Sequence, residues 1–217
     1  FMAFSYGLID IDANSIDGGY EIKSSVLKEI GLQNGDQITS INDYKIDKVS
    51  DIRRYLIEAK TMTVFRAGRS KTIEFPTDVL GQLSASKPKG LIELRNPFIF
   101  SAFQEGSINS SVDLQPGDVM VSINNQPARF MDEITPLLET LKDQVAVFSF
   151  KRNGNLITQE LKVSNEAKLG VIIARSTLEY AKAGFFKIIK KEYSFGESIE
   201  VGIKRFSLEM DSYWSQF

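Results

Sequence analysis

Histidine and cysteine, the side chains most used for catalysis and metal binding near neutral pH, are both absent from the 217 residues. A histidine-containing zinc site, a Ser-His-Asp triad, a histidine general base and a thiol nucleophile are therefore excluded within this chain. Carboxylate or Ser-Lys chemistry remains, and no motif in the sequence supports either. The formal net charge of −2 offers no electrostatic footprint for nucleic acid or an anionic membrane, so no nucleic-acid partner is expected. Hydrophobic residues at 42% and charged residues at 25% are ordinary for a globular chain long enough for two domains. No apolar run reaches the roughly 18 residues of a membrane span, and no signal peptide is visible. A cysteine-free chain suits an exported protein without proving export.

The chemistry left is recognition by backbone and apolar side chains, and the sequence repeats the elements that would carry it. "GLQNGDQITSIN" from Gly31 returns as "DLQPGDVMVSIN" from Asp113, 82 residues on, with seven of twelve positions identical. "GLIDI" (Gly7 to Ile11) returns as "GLIEL" (Gly90 to Leu94), and "FRAGRSKT" (Phe65 to Thr72) aligns with "KRNGNLIT" (Lys151 to Thr158), placing Arg66 on Arg152. "NGD" and "PGD" are turn chemistry, in which glycine supplies a positive φ and aspartate bonds back to the backbone. "QITSIN" and "VMVSIN" then alternate as strands. Helices are predicted over "KVSDIRRYLIEA" (Lys48 to Ala59) and "FMDEITPLLETL" (Phe130 to Leu141), with Pro136 near the second helix start or at a kink. A hairpin turn at "AG" or "NG" closes each unit.

These elements predict a mixed α+β, strand-rich chain: a first domain over 5–77, a linker over 78–88, a second domain over 89–175, and a loop with an amphipathic helix over 176–217. A third echo, "KLGVII" (Lys168 to Ile173), reads as a closing strand returning along the second domain. In the tail, Ser194 and Glu197 have the spacing of a capping box. Phe195, Ile199, Ile203, Phe206, Met210, Tyr213 and Phe217 form one helical stripe. That helix either packs on the second domain or lies against a membrane or a membrane-spanning part.

The succession of strand, small-residue turn, "GL..GD.I.SIN", helix and hairpin resembles circularly permuted PDZ domains of the bacterial type, in tandem over nearly all of residues 5–163. The resemblance implies that a loop opening the first strand holds a peptide carboxylate on its N–H groups, and that the strand edge accepts an extended peptide. It assigns Tyr6, Gly7 and Leu8 to that loop in the first unit, and Gly90, Leu91 and Ile92 in the second. The helix supplies the other wall. At helical spacing, Val49, Ile52 and Leu56 in the first unit and Met131, Ile134 and Leu138 in the second face either the groove or the core.

Two such units, an "LGV" strand and "YSFGESIEVGIKRFSLEMDSYWSQF" together look like the periplasmic segment of a bacterial site-2 protease of the regulator-of-sigma-E type. Members are multi-pass intramembrane zinc metalloproteases whose HExxH motif lies in a membrane span. The resemblance implies zinc in the whole protease and none in this segment, and a place on the periplasmic side of the inner membrane. It implies a gating role that screens membrane-protein substrates, such as an anti-sigma factor, by the size of their extracytoplasmic part. Peptide C-termini and the transmembrane part of the same protease are the implied partners. The PDZ pair of a periplasmic trypsin-like serine protease and a PDZ scaffold of a secretion system are the alternatives.

Overall fold

A computed structural model describes residues 6–86, 88 and 90–193. The described chain runs β1 (Tyr6–Ile11), a 3-10 turn (Ala13–Ser15), β2 (Tyr20–Ile22), α1 (Ser25–Glu29), β3 (Gln37–Ile41), β4 (Tyr44–Lys45), α2 (Val49–Leu56), β5 (Thr61–Arg66), β6 (Arg69–Glu74) and α3 (Val79–Ser86). It continues with β7 (Ile92–Leu94), β8 (Phe100–Phe103), β9 (Val119–Ile123), β10 (Gln126–Pro127), α4 (Met131–Thr140), β11 (Val145–Arg152), β12 (Asn155–Lys162), β13 (Val171–Ile173), α5 (Thr177–Lys182) and β14 (Ile188–Tyr193). It is a strand-rich mixed α+β structure. The capping box at Ser194 and Glu197 and the apolar stripe to Phe217 lie outside the described residues.

The repeat is visible as two antiparallel four-stranded sheets of the same order, β4-β3-β5-β6 and β10-β9-β11-β12. The shared turn has the same construction in both. Gly35 and Gly117 take φ of 91° and 97°, a region that costs glycine nothing. Asp36 accepts from the Gln33 N–H at 2.9 Å, and Asp118 from the Gln115 N–H at 2.8 Å. Both aspartates are sealed from solvent, and each is gripped by an arginine from the hairpin of its own unit. Arg66 donates through Nη2 to Asp36 at 2.7 Å and to the Gly31 carbonyl at 2.8 Å. Arg152 donates to Asp118 at 2.7 Å and to the Asp113 carbonyl at 2.9 Å. The hydrogen bond to the carboxylate raises each arginine's pKa further. Asn42 and Asn124, which end the two "SIN" strands, sit at φ of 50° and 49° and turn the chain into the following short strand.

The strands that open with Gly-Leu or Gly-Val are distributed differently. β7 pairs antiparallel with β2, Tyr20 opposite Leu94 and Ile22 opposite Ile92. β13 pairs with β8. β1 pairs with β14 over six positions, from Tyr6 opposite Tyr193 to Ile11 opposite Ile188. Each body is thus completed by the Gly-Leu or Gly-Val strand that follows it in sequence, while the first such strand joins the last described one in a two-stranded ribbon.

The stretch expected as a linker is largely helical. Val79 and Leu83, one helical turn apart, are buried in the first core, and α3 packs on α1. This lays the chain back over the first unit and delivers Gly90 to the edge of β2. The first core (Tyr20, Ile22, Leu27, Ile41, Ile52, Met62, Val64) also takes in Tyr180, Phe185 and Phe186 from the segment between β13 and β14. The second core is Phe98, Phe100, Met120, Ile134, Phe148, Phe150 and Leu161 with their neighbours.

Arg95 joins the two units. It follows β7 directly, and its side chain is only 7% exposed. It donates to Asp132 at 2.9 and 3.0 Å, to Glu133 at 2.6 Å and to the Gly18 carbonyl at 3.3 Å. Its guanidinium lies 4.1 Å from the centre of the Phe130 ring, within cation–π range. Burial pulls the Arg95 pKa down, and the hydrogen bonds to Asp132 and Glu133 outweigh it, leaving a net rise. Phe130 in turn meets Phe185 edge-on at 5.7 Å, and Arg129 pairs with Asp17 across the same junction. A Cβ on Gly18 would lie 2.2 Å from the Phe130 ring, so the close approach of the units requires glycine there.

Candidate functional site

An open groove of about 700 Å³ runs between α2 and the segment from Gly90 to Leu94. Its helix wall exists because Val49, Ile52 and Leu56 fall on one side of α2, while Arg54 and Glu58 point to water. The wall is pinned at its start from two directions. Asp51 accepts from the N–H of Lys48 at 3.1 Å, satisfying an orphan donor of the first turn. Asp10 of β1 accepts from the Ser50 hydroxyl and, at 3.4 Å, from the Ser50 N–H.

The other wall is β7, which among the described residues pairs on one edge only. Its pattern of backbone donors follows from the register. The Lys23 N–H bonds to the Leu91 carbonyl, and Glu93 lies opposite Glu21. Peptide groups of alternate residues point to the same edge, so Leu91 and Glu93 address β2. On the other strand, the Tyr20 backbone bonds to Gly35 and Asp36, and the Ile22 N–H to the Asn34 side chain, all away from β7. The N–H and C=O groups of Ile92 and Leu94 therefore lie on the free edge. A free strand edge opposite an apolar helix face is the geometry on which β-strand addition of an extended chain is built.

Six of the twelve candidate residues meet here: Val49, Ile52 and Leu56 from α2, with Gly90, Leu91 and Ile92 from the other wall. The PDZ resemblance sets Gly90 to Ile92 against the second helix; the structure sets them against the first, because α3 folds the chain back over α1. Tyr6, Gly7 and Leu8 lie in β1, their backbone opposite Tyr193, Glu192 and Lys191. Met131, Ile134 and Leu138 belong to the second core. Ile134 is fully buried, Leu138 is nearly so, and Met131 packs against that core half-buried. Ile52 and Leu56 serve both purposes, lining the groove while buried in the first core.

Tyr20, Ser50, Arg53, Glu93 and Leu94 also line the groove and were not singled out from the sequence. One signal pointed to this arrangement: the Gly-Leu or Gly-Val strand occurs three times, at Gly7, Gly90 and Gly170, for two "GD" turns. Either the first or the last copy must therefore be surplus to the two bodies. At the mouth of the groove the charges are Arg53 and Glu93. The nearby Lys23 ammonium is held above its usual pKa, chiefly by its hydrogen bond to Glu21 and, beyond the opposing effect of burial, by the charges of Glu21 and Glu93.

The residues do not fit a zinc ion. The chain has no histidine or cysteine, and among the described residues no three acidic groups converge as metal ligands. Among the described residues, no helix is long and apolar enough to cross a membrane.

No family model matches the chain. Among curated proteins it is 25% identical over 178 residues to a protein of Borreliella burgdorferi named "Putative zinc metalloprotease"; the match takes in 77% of this chain and 40% of that protein. The chain thus spans about 40% of the length of the curated relative it matches, and its similarity to a zinc metalloprotease is distant.

Proposed function

We propose that this chain is a non-catalytic tandem of PDZ-like units from a site-2-type intramembrane zinc metalloprotease, and that it screens membrane-protein substrates by the bulk of their extracytoplasmic part. The observation that carries the reading is the groove between α2 and the free edge of β7, a site built for an extended peptide rather than for catalysis. Two further features support it. The β1–β14 ribbon sets Tyr6 opposite Tyr193, so the folded body hangs from two adjacent strands, as an insert between membrane segments would. The relative's name supplies the protease class. Zinc and the catalytic groups then belong to other parts of the protease, and the segment lies on the periplasmic side of the inner membrane.

The groove takes a substrate strand, such as the trimmed end of an anti-sigma factor, by backbone pairing with Ile92 and Leu94. A substrate that still carries a folded domain is kept from the active site by the bulk of the tandem. The test is cleavage, in cells, of a membrane substrate with and without its bulky extracytoplasmic domain, by the full-length protease and by a variant lacking residues 13–175. The variant is expected to cut both substrates, while the intact protease cuts the trimmed one. Equal rejection of the bulky substrate by both proteins overturns the gating role.

A further inference from the structure

Glu93 occupies the middle of β7, exposed, on the strand wall of the groove. Its neighbours Ile92 and Leu94 pack half-buried against the first core. Side chains alternate along a strand, so the Glu93 carboxylate stands on the outward face. Directly opposite it, on β2, is Glu21. Like charges in that position destabilise a sheet. The cations beside the pair are committed elsewhere: the Lys23 ammonium donates to Glu21 at 2.6 Å, and Arg95 holds Asp132 and Glu133. Arg53 stands across the groove on α2. Among the described residues, Glu93 forms no ion pair with any of the three. Its carboxylate lies against the Gly90 end of the groove, in space that a Cβ on Gly90 would take. A local rule broken without a compensating contact marks a position kept for another purpose.

We infer that Glu93 is a specificity-determining residue of the groove: it selects an incoming strand that carries a lysine or arginine across from it. The inference rests on the groove being a peptide site. An antiparallel strand added at the free edge of β7 bonds to the N–H and C=O groups of Ile92 and Leu94. One of its residues then stands across from Glu93 in a non-hydrogen-bonded position, where facing side chains lie closest. The residues on either side of it turn towards Val49, Ile52 and Leu56 of α2. The ligand is therefore an extended segment with apolar residues facing the helix and a basic residue between them, facing out. A basic side chain there gives Glu93 the cation that Lys23 spends on Glu21, while an acidic one adds a third carboxylate. Glu93 is open to solvent, so the contact requires no rearrangement of α2 or β7.

The experiment is a charge-swap cycle on the full chain. Labelled octapeptides alternating valine and threonine, with each threonine replaced in turn by lysine, glutamine or glutamate, are titrated by fluorescence anisotropy against the native protein, Glu93→Gln and Glu93→Lys. At one threonine position, lysine is expected to bind the native protein about twofold to fivefold more tightly than glutamine, the range of an exposed ion pair. Glu93→Gln should abolish that difference, and Glu93→Lys should reverse it in favour of glutamate. Without peptide, Glu93→Gln is expected to melt at the same temperature or higher, since it removes a charge that opposes Glu21. Peptides that bind with no preference at any position overturn the inference and leave the groove reading standing. So does a preference for lysine that is equal at every position and in all three proteins, which is general attraction to a negatively charged chain. A clear fall in melting temperature for Glu93→Gln also overturns it, because the carboxylate then already holds a cation within the chain. Failure of every peptide to bind any of the three proteins removes the groove reading and this inference together.

Discussion

Asp36 and Asp118 are closed to solvent, and each faces one arginine that bridges the turn to the hairpin. Removing the arginine strands a buried carboxylate, which costs more than the pair itself contributes. Arg66→Ala is expected to lower unfolding stability by about 2–3 kcal/mol, somewhat less than for a fully buried pair because the Arg66 side chain is 21% exposed. Arg66→Lys should recover only part of this, since an ammonium cannot span Asp36 and the Gly31 carbonyl as the guanidinium fork does. Urea denaturation of the three proteins checks both expectations. The apolar candidates separate by the same measurement. Ile134→Ala empties a fully buried site and should cost about 2–5 kcal/mol, whereas Val49→Ala, at a half-buried position of the groove wall, should cost about 1 kcal/mol or less. Equal losses would place Val49 in the core and take it out of the groove.

At the scale of elements, the strands and helices followed from local signals. α2 and α4 fall within the predicted spans 48–59 and 130–141. Pro136 stands inside α4, one turn beyond the residues whose N–H groups are free in any helix. A capping box at Ser176 and Glu179 opens α5, with the Glu179 N–H donating to the Ser176 oxygen at 3.2 Å. Its S-x-x-E spacing was in the sequence all along, hidden by the shortness of the helix. α3 was obscured by its lack of a clear apolar stripe, with Gly81 and the exposed Leu80 interrupting the pattern; Val79 and Leu83 mark its buried side. β7 is the element on which the proposed recognition depends. Ile92→Pro removes an N–H that points to the groove and not to the β2 ladder, so the fold should survive, as edge-strand proline does. Binding of an extended peptide should fall at least tenfold relative to the Ile92→Val control, measured by fluorescence anisotropy of a labelled peptide. Unchanged binding would show that the free edge of β7 is not where the peptide pairs.

At the scale of the molecule, the two bodies are joined through Arg95, Asp132 and Phe130, all nearly closed to solvent, and through the partly exposed Glu133. Because Arg95 directly follows β7 and both carboxylates sit in the first turn of α4, a groove wall of one unit is attached to the helix start of the other. Arg95→Ala leaves Asp132 buried without its cation, a change expected to cost about 3–5 kcal/mol at the junction while leaving each unit's own core intact. Calorimetry should then resolve two transitions where the native chain shows one, or shows them closer together. A single unshifted transition would mean that the units do not depend on this contact.

The amino-acid sequence by itself determined the repeat, the two "GD" turns, the hairpins, the two repeat helices and the exclusion of histidine and thiol chemistry. Each of these rests on residues within a few positions of one another, where turn chemistry and periodicity act. It did not determine the phase of the repeat. A period of 82 residues, read from Gly31 to Asp113, is the same wherever counting starts. Three Gly-Leu or Gly-Val strands can be shared between two bodies by pairing each with the body before it or the body after it. Only tertiary structure decides this, because the choice is made by which strand edge is open and by how α3 lays the chain across α1. That decision brings Gly90 to Val49, Ile52 and Leu56, sends Tyr6 to Leu8 into the ribbon with β14, and leaves Glu93 exposed on the strand wall of the groove.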